Sequence, residues 1–192
     1  MGQSAWPKAQ GFLSDSQYAL LRDSLEENLK PLFVVAYHTG VRLGELLAWT
    51  WEQVDFGEGF ITLNKEETKS GYARAVPILQ GDMRQWLQWA SERSNGCDQV
   101  FNRTGEPIKD FRRGWKVACA KAGVPDLKFH DLRRTAVRNM RRAGVPQVVR
   151  MRITGHRTDS MERRYNIVDV DDLVSAKILM ERRMKPNGEV DF

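Results

Sequence analysis

Apolar residues recur at helical spacing along most of the chain and alternate in only one short region. Ser14 followed by Gln17 predicts a capping box, opening a helix that runs to about residue 29. Pro31 restarts the chain into a second helix ending near Gly40. Its apolar run over 32–37 suits a buried helix turn or strand and falls far short of a membrane span, which needs roughly 18 residues. The stretch 42–49 reads as helix with Leu43, Leu46 and Leu47 on one face. Segments 60–64 and 72–78 read as strands joined by the polar hairpin loop Glu67-Thr68-Lys69-Ser70-Gly71, and Pro77 puts the second strand at an edge or ends it. Helices follow over 82–93, 111–122 and 131–143, the last two ending at Gly123 and Gly144. Leu132, Ala136, Met140 and Ala143 form an apolar stripe on the last of these. Short helices over 147–153 and 160–165 flank Thr154-Gly155-His156, and an amphipathic helix over 171–183 closes the chain. The expected fold class is mainly α with one small antiparallel β-sheet (α+β), in one domain.

Composition leaves that picture standing, with 192 residues, 41% hydrophobic, enough for one sizeable core. The amino terminus has no apolar segment of the signal-peptide kind. Cys97 and Cys119 lie far apart with no metal-ligand spacing; a disulfide stays open, and reduced thiols of a cytoplasmic protein are the preferred reading. Charge changes the picture more. The net +5 conceals a basic band over 101–165, where 17 Lys or Arg face 6 Asp or Glu, while 1–60 holds 4 against 8. Such a band is the footprint of a polyanion site, although by itself it also fits a solvated basic surface.

The candidate chemistry concentrates in and around that band. A phosphodiester resists attack because its anionic oxygens repel nucleophiles and its leaving alkoxide is poor. A catalyst must neutralise those oxygens, deliver a nucleophile and protonate the departing oxygen. Arginine suits the first task through its planar fork, which stays charged. Arg42 and Arg133 are the candidates, each in the first turn of an expected helix, where free backbone N–H groups also favour an anion. Taken singly, either arginine reads as well as a surface ion pair. His130 stands three residues before Arg133 and can donate to phosphate or exchange a proton near neutral pH; the bland reading is a helix cap. His156 follows a glycine at a turn, which lets ring and backbone approach a ligand closely. The two histidines lack third and fourth ligands, so neither a metal nor another cofactor is expected.

Lys69, at the hairpin tip, can protonate a leaving oxygen or simply be solvated. Tyr165 reads as a nucleophile or as a core tyrosine. Its phenol, ordinarily with a pKa near ~10, needs a proton acceptor and a positive field to attack phosphorus. Glu45, three residues after Arg42, can orient that arginine or a neighbouring histidine. Arg134, Arg138 and Arg157 are candidate DNA contacts within the basic band.

Thr39-Gly40-x-Arg42-x-x-Glu45-Leu46, Thr68-Lys69 before the second strand, His130-x-Leu132-Arg133, and Gly155-His156 with Tyr165 nine residues on are five pieces in one order. In order and spacing they resemble the tyrosine recombinase (phage integrase) family across about residues 15–170. Trp49-x-Trp51-x-x-Val54-Asp55 is similar to that family's segment leading into its small sheet. The resemblance implies the DNA breaking-rejoining fold, with Arg42, Lys69, His130, Arg133 and His156 activating a phosphate that Tyr165 attacks. It implies metal-free transesterification through a 3′-phosphotyrosyl link, with double-stranded DNA as partner, self-association into a tetramer on paired sites, accessory DNA-bending proteins in some assemblies, and a cytoplasmic, nucleoid-associated location in a bacterium or phage host. The helix over 171–183 would dock on a neighbouring protomer through Leu173, Val174, Ile178 and Leu179, or pack within its own domain.

Two departures stand out. Thr154 occupies a position where the family commonly has leucine, which reads as a packing change. Family members usually carry an amino-terminal helical domain that clamps the other face of DNA; it is expected to be absent from this chain, which alone would bind DNA weakly. Arg42→Ala and Arg133→Ala are each expected to abolish cleavage with little loss of folding. The rival readings are a type IB topoisomerase, and a non-catalytic regulator with a helix-turn-helix over 147–165.

Overall fold

The computed structural model describes residues 12–68, 71 and 73–156. Expectations concerning Lys69, Arg157, Tyr165 and the helices over 160–165 and 171–183 lie outside the described residues. Helix α1 (Asp15–Ser24) opens with the predicted capping box: the Ser14 hydroxyl accepts from Gln17 N, and Gln17 Oε1 accepts from Ser14 N. The helix ends at Ser24 rather than near 29, because Leu25 turns extended and inserts into the core. A 3₁₀ turn (Glu27–Leu29) then delivers Pro31 into the first turn of α2 (Lys30–Thr39). There its missing N–H costs nothing, whereas a helix continuing from α1 would have driven its ring into a carbonyl.

Helix α2 is buried on nearly every side, from Pro31 to Tyr37 and again at Thr39, so it forms the axis of the domain. It packs against α4 (Asp82–Glu92) and α6 (Asp131–Arg142), while α1 packs on α5 (Arg112–Lys121). The Tyr18 hydroxyl donates to Asp82, whose other oxygen lies 2.9 Å from His38 Nε2, fastening α1, α2 and α4 together. Helix α3 (Leu43–Leu46) is a single turn, shorter than the expected 42–49. Its continuation is claimed by pairing: the Trp49 carbonyl accepts from Val100 N, Trp51 N donates to Asp98 O, and Thr50 bridges Gln99.

Strands β1 (Val54–Asp55), β2 (Phe60–Leu63) and β3 (Arg74–Pro77) form an antiparallel sheet in that order, with Pro77 on the edge strand as expected. The register pairs Ile61 with Val76 and Leu63 with Arg74. Ile61, Leu63, Arg74 and Val76 face the core, so strand alternation buries an arginine. Sequence reading missed a second ribbon, β4 (Asn102–Arg103) with β5 (Glu106–Pro107). Its turn puts both Thr104 and Gly105 at positive φ, and a threonine there gives no turn signal. Helix α7 (Gln147–Thr154) lies against both β3 and α6. Cys97 and Cys119 are buried and free. Among the described residues, no helix is long and apolar enough to cross a membrane.

Candidate functional site

Two helix ends build the site. Gly40 closes α2 and Gly155 closes α7, both in the left-handed region at φ 62° and 72°. The Gly40 carbonyl accepts from Arg133 Nη1 at 2.7 Å, and the Gly155 carbonyl accepts from Arg42 Nη1 at 2.8 Å. Helix carboxyl ends carry partial negative charge, so each guanidinium is held where that charge is greatest. This corrects the expectation that helix starts position the two arginines. Arg42 merely precedes the one-turn α3, and Arg133 is the third residue of α6 with its fork turned back toward α2 and α7.

Both glycines also permit close approach. A Cβ on Gly40 would lie 2.9 Å from the Ala136 Cβ, where α2 crosses α6. A Cβ on Gly155 would meet the Arg74 guanidinium at 2.9 Å. Arg74 is thus a component that sequence reading missed. It lies beneath the Gly155 turn, almost fully buried, with Nη2 2.8 Å from Glu45 Oε2. The Glu45 Oε1 in turn stands 3.6 Å from Arg42 Nη1. Glu45 therefore serves two arginines, one of them as expected. The missed signal was the alternation of Arg74 with Val76 on one strand face, which demands a buried acid partner.

Arg133 is 4% exposed and also donates to the Thr154 carbonyl. Its Nε lies 3.0 Å from His156 Nε2, while His156 Nδ1 lies 2.9 Å from the Thr154 hydroxyl. Burial, followed by the positive fields of Arg133 and Arg42, pushes the His156 imidazole down to about 3. His130, at the start of α6, is more exposed. Partial loss of hydration and the Arg133 charge hold it below the ordinary imidazole range. Four of the six sequence candidates, Arg42, His130, Arg133 and His156, thus share one electrostatic environment, and Lys69 and Tyr165 lie outside the described residues. Arg134 is half-exposed beside Asp131. Arg138 was expected at the DNA, but its Nη2 donates to Leu13 O at 2.7 Å and its guanidinium covers the Phe12 ring. It fastens the described start of the chain, Phe12 and Leu13, to α6. Among the described residues, no group of three His, Cys, Asp or Glu side chains is arranged for a metal.

The depressed His156 makes a pH prediction. Above about pH 6.5 the ring is neutral whether the chain is folded or not. Below that, the unfolded chain takes up a proton that the folded ring refuses until about pH 3. Stability supplied by the neutral ring is therefore complete above pH 6.5 and lost as pH falls across that window. Urea unfolding from pH 7 to pH 4 should show a proton uptake that is smaller by up to about one per molecule in His156→Gln. An unchanged pH slope in that variant would contradict the assignment.

The model of the phage integrase family matches residues 12–171. The chain belongs to the phage integrase family. Among its relatives, the shufflon-specific DNA recombinase of Escherichia coli is 34% identical over 165 residues, covering 84% of this chain and 41% of the relative. The integrase of Salmonella phage P22 is 28% identical over 156 residues, covering 76% and 40%. The integrase-family chain thus spans about two-fifths of the length of these curated relatives. Among solved structures, the XerA recombinase matches with a TM-score of 0.72 at 22% identity, covering 91% of this chain and 66% of that one. A lambda integrase tetramer bound to a Holliday junction matches at 0.62 and 18%, covering 94% and 50%. At these identities the likeness establishes the fold, which is that of tyrosine recombinase catalytic domains.

Proposed function

We propose that this integrase-family chain carries out site-specific DNA strand exchange by metal-free transesterification, with its 192 residues as one catalytic domain. The observation that supports it is the meeting of Arg42 and Arg133, brought from positions 91 apart in sequence, beside two histidines whose surroundings disfavour the protonated ring. The two guanidinium charges neutralise the non-bridging oxygens of the scissile phosphate. Neutral His130 accepts the phenolic proton as the Tyr165 oxygen bonds to phosphorus, and Lys69 donates a proton to the departing 5′ oxygen. The products are a 3′-phosphotyrosyl link and a free 5′-hydroxyl. A 5′-hydroxyl from a partner duplex then attacks the same phosphorus, displaces the phenolate and restores a phosphodiester, so no external energy source is consumed. Tyr18 and Tyr37 are unsuited to the nucleophile's role, since burial raises both phenols and their hydroxyls donate to Asp82 and Asp15.

The substrate is double-stranded DNA, and strand exchange on paired sites calls for four copies of the chain, as in the lambda integrase tetramer on a Holliday junction. Arg134 and Arg157 are proposed backbone contacts, and a DNA-acting enzyme of this kind belongs in the cytoplasm. The topoisomerase and regulator readings receive no support from relatives described as recombinases and integrases. The test is to incubate the full chain with labelled duplexes that carry a nick flanked by randomised sequence. Loss of the short fragment beyond the cleaved bond traps the covalent species for denaturing electrophoresis. An adduct that disappears in Tyr165→Phe is the expected result. DNA binding without adduct at any sequence in the pool would overturn the proposal.

A further inference from the structure

We propose that Thr154 is a positioning residue whose hydroxyl keeps the His156 proton on Nδ1, so that His156 Nε2 can hold Arg133 in its phosphate-facing orientation. The proposal rests on the function just argued, and the hydrogen-bond directions carry it. Thr154 is fully buried in the last turn of α7, with its hydroxyl 2.8 Å from the Arg150 carbonyl and 2.9 Å from His156 Nδ1. A carbonyl can only accept, so the hydroxyl proton goes to Arg150 O and the oxygen's lone pairs are left for the imidazole. On the other side of the ring, Arg133 Nε stands 3.0 Å from His156 Nε2. A guanidinium can only donate, so Nε2 must be bare. Both neighbours therefore require the same neutral ring, protonated on Nδ1.

The result is a directional relay. Arg133 donates to His156, His156 donates to Thr154, and Thr154 donates to the end of its own helix. Moving the ring proton to Nε2 would set two N–H groups against each other and leave Nδ1 facing a hydroxyl already committed elsewhere. Thr154 acts on Arg133 a second time through its backbone, since the Thr154 and Gly40 carbonyls both accept from Nη1. The three acceptors fix the plane of the guanidinium as well as its position, and the direction in which Nη2 can meet a phosphate oxygen depends on that plane. The threonine at this position is thus more than a change of packing. A leucine would fill the space without accepting the imidazole proton.

Valine matches threonine in shape and lacks the hydroxyl, so Thr154→Val isolates the relay, and Thr154→Ser restores it. The first readout is nitrogen-15 NMR of the imidazole side chains of the full 192-residue chain at pH 7 without DNA, with His156 signals assigned by their loss in His156→Gln. Wild type and Thr154→Ser should show the Nδ1–H pattern, and Thr154→Val a shift toward Nε2–H. The second readout is adduct formation with the nicked, randomised duplex pool. Thr154→Val should slow the single-turnover rate by about tenfold to a hundredfold, the scale of a slightly misplaced reacting group. The DNA concentration giving half-maximal rate should stay put, and Thr154→Ser should react like wild type.

An Nε2–H pattern in the wild-type ring overturns the relay outright, even if Thr154→Val fails to fold. A Thr154→Val ring that changes its proton position without any change in rate overturns the link to Arg133. A wild-type chain that forms no adduct removes the strand-exchange reading and with it the role toward phosphate, while the NMR pattern still decides where the proton sits.

Discussion

Glu45→Ala should unfold the chain at a much lower urea concentration than wild type, corresponding to a loss of about 3–5 kcal/mol. The cause is the cation left behind. The Arg74 side chain is 2% exposed, and among the described residues its Nε and Nη1 have no hydrogen-bond partner, so the Glu45 carboxylate is its counter-charge. A buried pair replaced as a pair can be neutral, whereas removing one partner strands the other without water. Adding Arg74→Met to Glu45→Ala should therefore recover most of the lost stability. The double-mutant cycle, followed by circular dichroism, measures that coupling. A Glu45→Ala loss below about 1 kcal/mol, the level of an exposed pair, would mean that the two charges are not mutually dependent.

Arg133→Lys should leave a folded chain whose adduct formation is slowed by about a hundredfold to a thousandfold. Lysine keeps the charge but loses the planar fork, so it cannot engage Gly40 O, Thr154 O and His156 together while facing a phosphate. Arg133→Ala should be worse in a second way. It leaves two buried carbonyls without this donor, at about 1–3 kcal/mol for each that water cannot reach. That revises the expectation, drawn from sequence, that either arginine can be removed with little effect on folding. Arg42, its side chain 24% exposed, should still obey that expectation. Thermal melting of the two alanine variants beside their adduct yields separates the cases. Equal melting temperatures would contradict the brace at Arg133.

Local chemistry was legible wherever short-range geometry decided the outcome. The Ser14–Gln17 capping box and the left-handed glycine ending α2 follow from a few adjacent residues. The motif order grouped Arg42, His130, Arg133 and His156, and the fold brings these four side chains into one electrostatic environment. The direction in which each guanidinium points was not legible. Arg42 and Arg133 reach carbonyls 113 and 93 positions away, and no periodicity near either arginine encodes those partners. The end of α3 was hidden for the same reason, since pairing with residues 98–100 overrides the helical pattern of 43–47. Arg74 was different: its strand alternation was visible, but the partner that lets a charged side chain sit on the apolar face, Glu45, lies 29 positions away.

The carbonyls at the end of α7 tie the placement of both arginines to the emergence of that helix. Gly155 must emerge and close α7 before Arg42 can gain its anchor, and Thr154 must arrive before Arg133 is held on both sides. Contacts of such long sequence separation form late. A polypeptide still on the ribosome, with its early helices already folded, accordingly holds both guanidinium groups without the α7 carbonyls that anchor them.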